Sequence, residues 1–377
     1  MAGPAHARVA APAMSSLHVA IDGSGLARPL AGVGTYTREM LRAMALERPL
    51  NRMTVFLGQA ASAPVDEAPI RYRPVPATRL LGRHLRWPAH IRRAGADCYW
   101  GPAGQLPLGR LGLPSVITVH DLAIYLEPGW FPARQPLSTR LVVPRSIRRA
   151  SRIVAVSENT ARDLSRIFGV EPGRMEVVPH GVGAAFRPLD PERQAAARAR
   201  FQLPERFILF VGTIEPRKNL DTLLSAWAMM RDRPALVVAG GWGWRFEETR
   251  ARIARLGDQV HLLGEVAAAD LPLLYNLAAC LAHPAWYEGF GLTALEAMAC
   301  GVPVIASDRA SLPEVVGDAG LLVPPDEPER WREALERVLR EPEVASDLRR
   351  RGILRAAEFT WTTAAARVWR ALERVTG

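Results

Sequence analysis

The stretch His283 to Gly301, HPAWYEGFGLTALEAMACG, leaves the chain few choices of fold. Leu292 to Cys300 contains neither Gly nor Pro and is rich in Leu, Ala, Glu and Met, so it reads as a helix. Gly301 stands where a helix-ending glycine belongs, and Pro303 bars continuation. A short apolar strand from Ala279 to His283 precedes it, so the local order is strand, charged glycine-broken loop, helix. Gly289 and Gly291 fall just before the helix N-terminus, where free amide N–H groups and the helix dipole favour anions and hydroxyl oxygens. Glu288 and Glu296 bracket that end, roughly 10 Å apart at a rise of about 1.5 Å per residue. That separation suits the two ends of one elongated ligand. Two glutamates alone would more simply be a buried helix with one exposed and one paired acid; the glycines shift the reading toward a ligand.

The same unit recurs along the chain. Leu17 to Ile21 is a strand ending at Asp22-Gly23-Ser24-Gly25, and a loop then runs to Gly32-Val33-Gly34 before a helix from Thr35 to about Leu46. As a dinucleotide fingerprint it fails, because Leu26, Ala27 and Arg28 stand where a third glycine is needed. Buried strands follow at Met53–Leu57, Asp97–Trp100 and Ser115–Val119, the last running directly into His120 and Asp121. The carboxyl ends of strands in an open parallel sheet face the ligand crevice, which gives His120 a chemical position. A helix over about 136–150, a strand at Arg152–Ser157, a helix to Phe168 capped by Ser157 and a strand at Met175–Gly181 complete this half. A second α/β pattern starts at Phe207–Gly212. The expected fold is α/β, with two Rossmann-like doubly wound domains facing a central cleft. The expected boundaries are a disordered tail over 1–16 with Met14 as an alternative start, a first domain over 17–187, a linker over 188–204, a second domain over 205–360 and a last helix within 361–377.

Of 48 basic residues only Lys218 is lysine, so this chain writes arginine by default. Lys218 falls in Gly212-Thr213-Ile214-Glu215-Pro216-Arg217-Lys218-Asn219-Leu220, where a strand end meets a helix start. There Arg217 can fork to two oxygens and Lys218 supplies a compact point charge, as a diphosphate requires. The three cysteines, Cys98, Cys280 and Cys300, are odd in number and far apart, which fits a reducing, cytoplasmic setting better than a disulfide framework. No apolar run approaches a membrane span, and no zinc-like or Asp-x-Asp spacing occurs in the cleft motifs.

Glu288, seven residues and Glu296 resemble the double-glutamate signature of the retaining glycosyltransferases of family 4, which have the GT-B fold. AGVGTYTREML, TVHDL and FVGTIEPRKNL resemble further motifs of that family, the last in its mannosyltransferase-like branch. The resemblance covers nearly the whole chain after residue 17. It implies that Glu288 and His120 orient the donor sugar and Glu296 holds the nucleotide ribose. Arg217 and Lys218 would neutralise the leaving diphosphate, while Gly34, Gly212, Phe290, Gly291 and Leu292 line the donor site. The last helix would cross back onto the first domain. The implied reaction is transfer of a hexose, first of all mannose from GDP-mannose, or else from a UDP-sugar, to a glycan or lipid-linked acceptor in cell-surface polysaccharide synthesis, with no cofactor and no metal. A sugar-nucleotide epimerase of the same fold and a non-catalytic nucleotide- or carbohydrate-binding subunit are the alternatives.

The net charge of +10 leaves a further expectation. Between Arg71 and Ala94 the acid-free run holds Arg71, Arg73, Arg79, Arg83, Arg86, Arg92 and Arg93 among Leu80, Leu81, Leu85, Trp87 and Ile91, broken by Pro88. It reads as a peripheral contact with an anionic membrane surface, the apolar residues inserting shallowly, with Arg140, Arg145, Arg148, Arg149 and Arg152 widening the face. A solvated basic loop or an inner helix with core leucines is the plainer alternative. No nucleic-acid recognition motif accompanies the charge.

Overall fold

A computed structural model of the chain describes residues 16–26, 32–58, 69–75, 79–133 and 138–377. The tail expected over 1–16 lies outside the described residues apart from Ser16. The first sheet comprises β1 (His18–Asp22), β2 (Arg52–Leu57), β3 (Ile70–Pro74), β4 (Cys98–Gly101), β5 (Ser115–Val119), β6 (Arg152–Ala155) and β7 (Met175–Val177). These strands pair in parallel in the order β3-β2-β1-β4-β5-β6-β7. The second comprises β8 (Phe207–Val211), β9 (Ala235–Ala239), β10 (Val260–Gly264), β11 (Cys280–His283), β12 (Val304–Ser307) and β13 (Leu321–Val323), parallel in the order β10-β9-β8-β11-β12-β13. The central strands β1, β5 and β8 are buried along their whole length, as strands covered by helices on both faces must be.

Each sheet reverses its winding once, between β1 and β4 in the first and between β8 and β11 in the second. At such a point the loops leaving two adjacent strands diverge and open a crevice beyond the carboxyl ends. The loops after β8 and β11 are those carrying Arg217-Lys218 and Glu288. This doubly wound pair of domains is the fold expected from the sequence. The helix Trp361–Glu373 packs on the helix Gly32–Glu47 of the first domain, with Val368 and Trp369 fully buried and the Trp369 indole N–H bonded to the Met44 carbonyl at 3.1 Å.

The arginine-rich run folds differently from the expectation. Ile70–Pro74 is an edge strand, where a proline costs no ladder hydrogen bond on the open side. Arg79–Arg93 is one helix that passes through Pro88. Pro88 cannot donate to His84, and the freed His84 carbonyl accepts instead from Gly109 N–H at 3.2 Å, so the backbone loss is repaired from outside the helix. Trp87 and Ile91 do not face outward: both are buried in the core beneath the first sheet, Trp87 against Phe56. Amphipathic patterning in a helix covering a sheet is the same as in a helix lying on a membrane, and here the sheet takes the apolar face. Arg71, Arg73, Arg86, Arg92 and Arg93 remain exposed, as do Arg140, Arg145, Arg148 and Arg149. The side chains of Arg79, Leu80, Leu81, Arg83 and Leu85 lie outside the described residues.

Among the described residues, contacts join the domains at both the rim and the floor of the cleft. At the rim, the Trp244 indole N–H donates to the Trp130 carbonyl at 2.7 Å, Arg245 bonds the Gly129 carbonyl, and Phe131 stacks on Trp244. At the floor, the N-terminus of the helix Glu158–Phe168 meets the loop that follows β11.

Candidate active site

The second domain supplies a wall of charge. Lys218 Nζ lies 2.5 Å from Glu288 Oε1, Arg217 NH1 3.3 Å from Glu288 Oε2, and His283 Nε2 3.1 Å from Glu288 Oε1. Arg217 also forks through Nε and NH2 onto Glu215 Oε1, and its NH1 reaches the Tyr287 carbonyl at 2.8 Å. Gly212, at φ +150°, lets the lysine stem lie along it, with Lys218 Cε 3.6 Å from where a Cβ would stand. Glu288, although it stands in a glycine-broken loop, is therefore buried and triply paired. Burial alone would raise its carboxyl, but Lys218, Arg217 and the His283 hydrogen bond hold it well below the usual range. For Glu215 burial prevails over the two cations and the shift is upward. His283 is lowered by burial against the pull of Glu288, so it serves as a neutral donor.

The first domain supplies a wall of aromatic rings. His120, at the end of β5, bonds through Nε2 to the Pro102 carbonyl at 2.7 Å and meets Tyr36 edge-on at 4.7 Å between ring centres. His180 packs between Tyr36, His120, Phe290 and Trp361, and neither of its ring nitrogens has a hydrogen-bond partner. Burial lowers both histidines, His180 well below the ordinary value with His120 adding to the effect. The walls touch at Gly289, where a Cβ would collide with the His120 carbonyl, so only glycine permits this approach.

Residues 30–186 match the family profile described as Glycosyltransferase Family 4, and residues 191–355 that described as Glycosyl transferases group 1. The O-antigen chain mannosyltransferase B of Escherichia coli is 31% identical over 363 residues, spanning 88% of this chain and 93% of that one. The chain belongs to glycosyltransferase family 4. Its relatives include a D-inositol 3-phosphate glycosyltransferase of Segniliparus rotundus, 37% identical over 286 residues, which cover 71% of this chain and 63% of that protein. Among solved structures, sucrose-phosphate synthase of Thermosynechococcus elongatus superposes with a TM-score of 0.77 at 23% identity, covering 95% of this chain and 98% of that one. WaaG, a glycosyltransferase of lipopolysaccharide biosynthesis, gives 0.74 at 20%, covering 95% and 100%. At these identities the likeness shows the GT-B fold alone.

In this family 4 chain the predicted residues do not all meet. Arg217, Lys218 and Glu288 form one cluster, and His120 lies across the cleft, with its carbonyl against Gly289. Gly212 underlies Lys218. Gly34 departs from expectation: the helix begins at Gly32, so Gly34 is buried in its first turn and not in a loop. Gly291 caps the helix Leu292–Ala299, with Leu292 half-buried at its start. The Phe290 ring turns to the aromatic wall, against His180 and Phe359, while its carbonyl accepts from Ser311 Oγ at 2.8 Å. Glu296 is held by the Tyr275 hydroxyl at 3.0 Å, and burial pushes its carboxyl up to about 7 against that hydrogen bond. Sequence reasoning missed His283, Glu215, Tyr36 and His180. The strand-end argument that selected His120 applies equally to His283, the last residue of β11. It extends to His180, just past β7, while Glu215 stands two residues from Arg217 in the loop after β8; nothing local marks Tyr36, which long-range packing brings in. Among the described residues no group of three or more His, Cys, Asp and Glu side chains could hold a metal ion, and no helix is long and apolar enough to cross a membrane.

Proposed function

We propose that this chain is a retaining hexosyltransferase that moves a hexose, mannose from GDP-mannose in the first instance, onto a hydroxyl of a glycan or lipid-linked glycan in cell-surface polysaccharide synthesis. The observation that carries the reading is the Lys218–Glu288–Arg217 cluster at the winding reversal of the second sheet, opposite His120. The name of the O-antigen mannosyltransferase relative favours the sugar and pathway, whereas HepE of Anabaena, a fold neighbour, was solved with UDP-glucose, so UDP-sugars remain the second donor class.

The two cations take different parts. Arg217 spends Nε, NH1 and NH2 on Glu215, Glu288 and the Tyr287 carbonyl, so it chiefly shapes the loop. Lys218 has Glu288 as its partner among the described residues, which leaves two of its three N–H groups for the departing diphosphate. Positive charge fixed where phosphate charge develops lowers the barrier without reorganisation, and this route calls for no metal. Glu288 and the neutral His120 orient sugar hydroxyls. Glu296, with the amides at Phe290, Gly291 and Leu292, takes the nucleotide side. The diphosphate accepts the acceptor's proton on the face it leaves, which retains the anomeric configuration. Cytoplasmic work at the inner face of the plasma membrane belongs to the same reading, and three buried free cysteines support the reducing setting.

Incubation with GDP-mannose or UDP-glucose, a lipid-linked oligosaccharide primer and EDTA tests this. Nucleotide release with a product of unchanged anomeric configuration by NMR is expected. An isomerised sugar nucleotide would instead mean an epimerase, and nucleotide binding without turnover a non-catalytic subunit.

A further inference from the structure

The loop 286–290 is pinned at every residue, and three of the pins come from the other domain, one of them a 3.3 Å bond from Thr160 Oγ1 to the Gly289 carbonyl. Within the second domain, Trp286 N–H bonds the Arg217 carbonyl at 2.9 Å, Arg217 NH1 bonds the Tyr287 carbonyl at 2.8 Å, and Ser311 Oγ bonds the carbonyls of Glu288 and Phe290 at 2.8 Å each. From the first domain, Ser157 Oγ donates to the Gly289 carbonyl at 2.7 Å, and Asp163 Oδ2 accepts from the Tyr287 hydroxyl at 2.7 Å in a buried bond. Both residues belong to one element, the helix Glu158–Phe168 and its N-cap. Its first turn is also gripped from the second domain: Glu314 accepts from the N–H groups of Glu158 and Asn159 at 2.8 and 2.7 Å.

The geometry points to Tyr287 and Asp163 as positioning residues that make the setting of Glu288 and Arg217 depend on docking of the first domain. Tyr287 has its hydroxyl on the first domain and its carbonyl on Arg217, and it directly precedes Glu288. Asp163 is itself fixed, with Asn159 Nδ2 at 3.0 Å on Oδ2 and Arg166 at 3.2 Å on Oδ1, so it is a firm anchor and not a mobile acid. Separating the helix from the loop removes the first-domain pins at Tyr287 and Gly289 together and leaves the backbone around Glu288 held from its own domain alone. Transfer would then be coupled to closure, since the charged wall is set for the sugar only while the acceptor-side domain is seated.

This inference rests on the glycosyl-transfer reading for its kinetic half and on none of it for its structural half, so two measurements separate them. The first is hydrogen exchange over residues 286–291, which needs no donor. Tyr287→Phe and Asp163→Ala should speed exchange there while leaving β8 and β11 protected. Asp163→Asn, which keeps an acceptor for the tyrosine, should restore near-normal protection. The second is steady-state turnover of GDP-mannose or UDP-glucose, whichever the unmodified chain uses. Tyr287→Phe and Asp163→Ala should lower kcat about tenfold to a hundredfold, the scale of a misplacement near 1 Å. KM for the donor should change less than threefold, and Asp163→Asn should recover most of the loss. Unchanged exchange in Tyr287→Phe and Asp163→Ala overturns the proposal, as does faster exchange with unchanged kcat. An unmodified chain that turns over neither donor defeats the donor assignment, and the exchange experiment then decides the positioning claim by itself.

Discussion

The two domains repeat one winding scheme, yet they dress the cleft in opposite ways. On the first, the ends of β5 and β7 present His120 and His180 inside a packing of Tyr36 and Trp361, and burial keeps both imidazoles neutral. On the second, the ends of β8 and β11 present Glu215, Arg217, Glu288 and Lys218 as a chain of ion pairs, each within 3.3 Å of the next. A parallel sheet guarantees a crevice at its reversal point but says nothing of its chemistry, which the few residues after each strand decide. A neutral, ring-lined wall suits hydroxyls and sugar faces, whereas a wall of paired charges suits a phosphate that arrives charged and leaves more so. Destroying the charge on one side should therefore be costly in ways that altering the other is not.

The largest effect should come from Glu288→Ala. Its side chain is 11% exposed and is paired to Lys218, Arg217 and His283. Removing it leaves Lys218 without its carboxylate and Arg217 with Glu215 alone in a desolvated site, and breaking such a buried network costs roughly 3–5 kcal/mol of stability. Urea unfolding at pH 7 should show that loss together with lost turnover, and Glu288→Gln should lose less stability. The depressed carboxyl adds a pH signature. Stability from an acid whose folded pKa lies well below its unfolded value of 4.5 is present above pH 4.5 and disappears as pH falls further, so the gap between wild type and Glu288→Gln should close in acid. A Glu288→Ala protein as stable as wild type would mean that the network is ornamental.

Lys218→Ala comes next. The fold should survive, and turnover should fall about 10²–10³-fold, or ~2.7–4 kcal/mol, the usual loss of one preorganised charge-stabilising donor. Lys218→Arg should also be impaired, because a planar fork cannot follow the lysine stem along Gly212 to a point contact. Arg217→Lys should act differently, loosening the loop through loss of the Glu215 fork and the Tyr287 carbonyl bond before it affects the phosphate. Equal kinetics for all three variants and wild type would erase the distinction between the cations.

This division was only partly legible in the sequence. The strands could be placed nearly to the residue, as at Ser115–Val119 and Phe207–Val211, because both-face burial writes continuous apolar runs that glycine and helix caps punctuate. Lys218 and Glu288 stood out through loops at strand ends and a single lysine among arginines. What a local pattern cannot carry is which partner arrives across a distance of 70 residues or more: that Glu288 is buried beneath two cations, or that Tyr287 reaches Asp163, 124 positions away. Trp87 and Ile91 failed for the same reason, since helix periodicity records that one face is apolar and not what covers it.

A smaller effect separates the two glutamates of one motif. Glu296 has its carboxyl raised to about 7 by burial, opposite to Glu288. For an acid raised above its unfolded 4.5, stability is full below 4.5 and declines as pH climbs through 7, because the folded site resists ionisation. Glu296→Gln, which mimics the neutral acid, should therefore match wild type in Tm near pH 4.5 and exceed it by pH 8. A difference independent of pH would show that Glu296 ionises freely.

The smallest effect concerns where the first domain keeps its charge, which is outside the cleft. Arg86, Arg92 and Arg93 are exposed on the helix Arg79–Arg93, and Arg71 and Arg73 on β3 beside it. With Trp87 and Ile91 committed to the core, any membrane contact by these described residues is electrostatic, about 1 kcal/mol for each basic side chain near an anionic surface and falling off within a Debye length. Flotation with anionic vesicles should be weak, vanish at 0.5 M salt and be absent with neutral vesicles. Replacing Arg86 and Arg93 by Glu should abolish it without moving the unfolding midpoint, since exposed substitutions usually stay within about 0.5 kcal/mol. Trp87→Ala should do the reverse, costing about 3–5 kcal/mol of stability as a fully buried indole while leaving flotation of the folded fraction intact. Flotation that survives high salt, or that Trp87→Ala removes from still-folded protein, would require an apolar insertion that the packing of this helix does not supply.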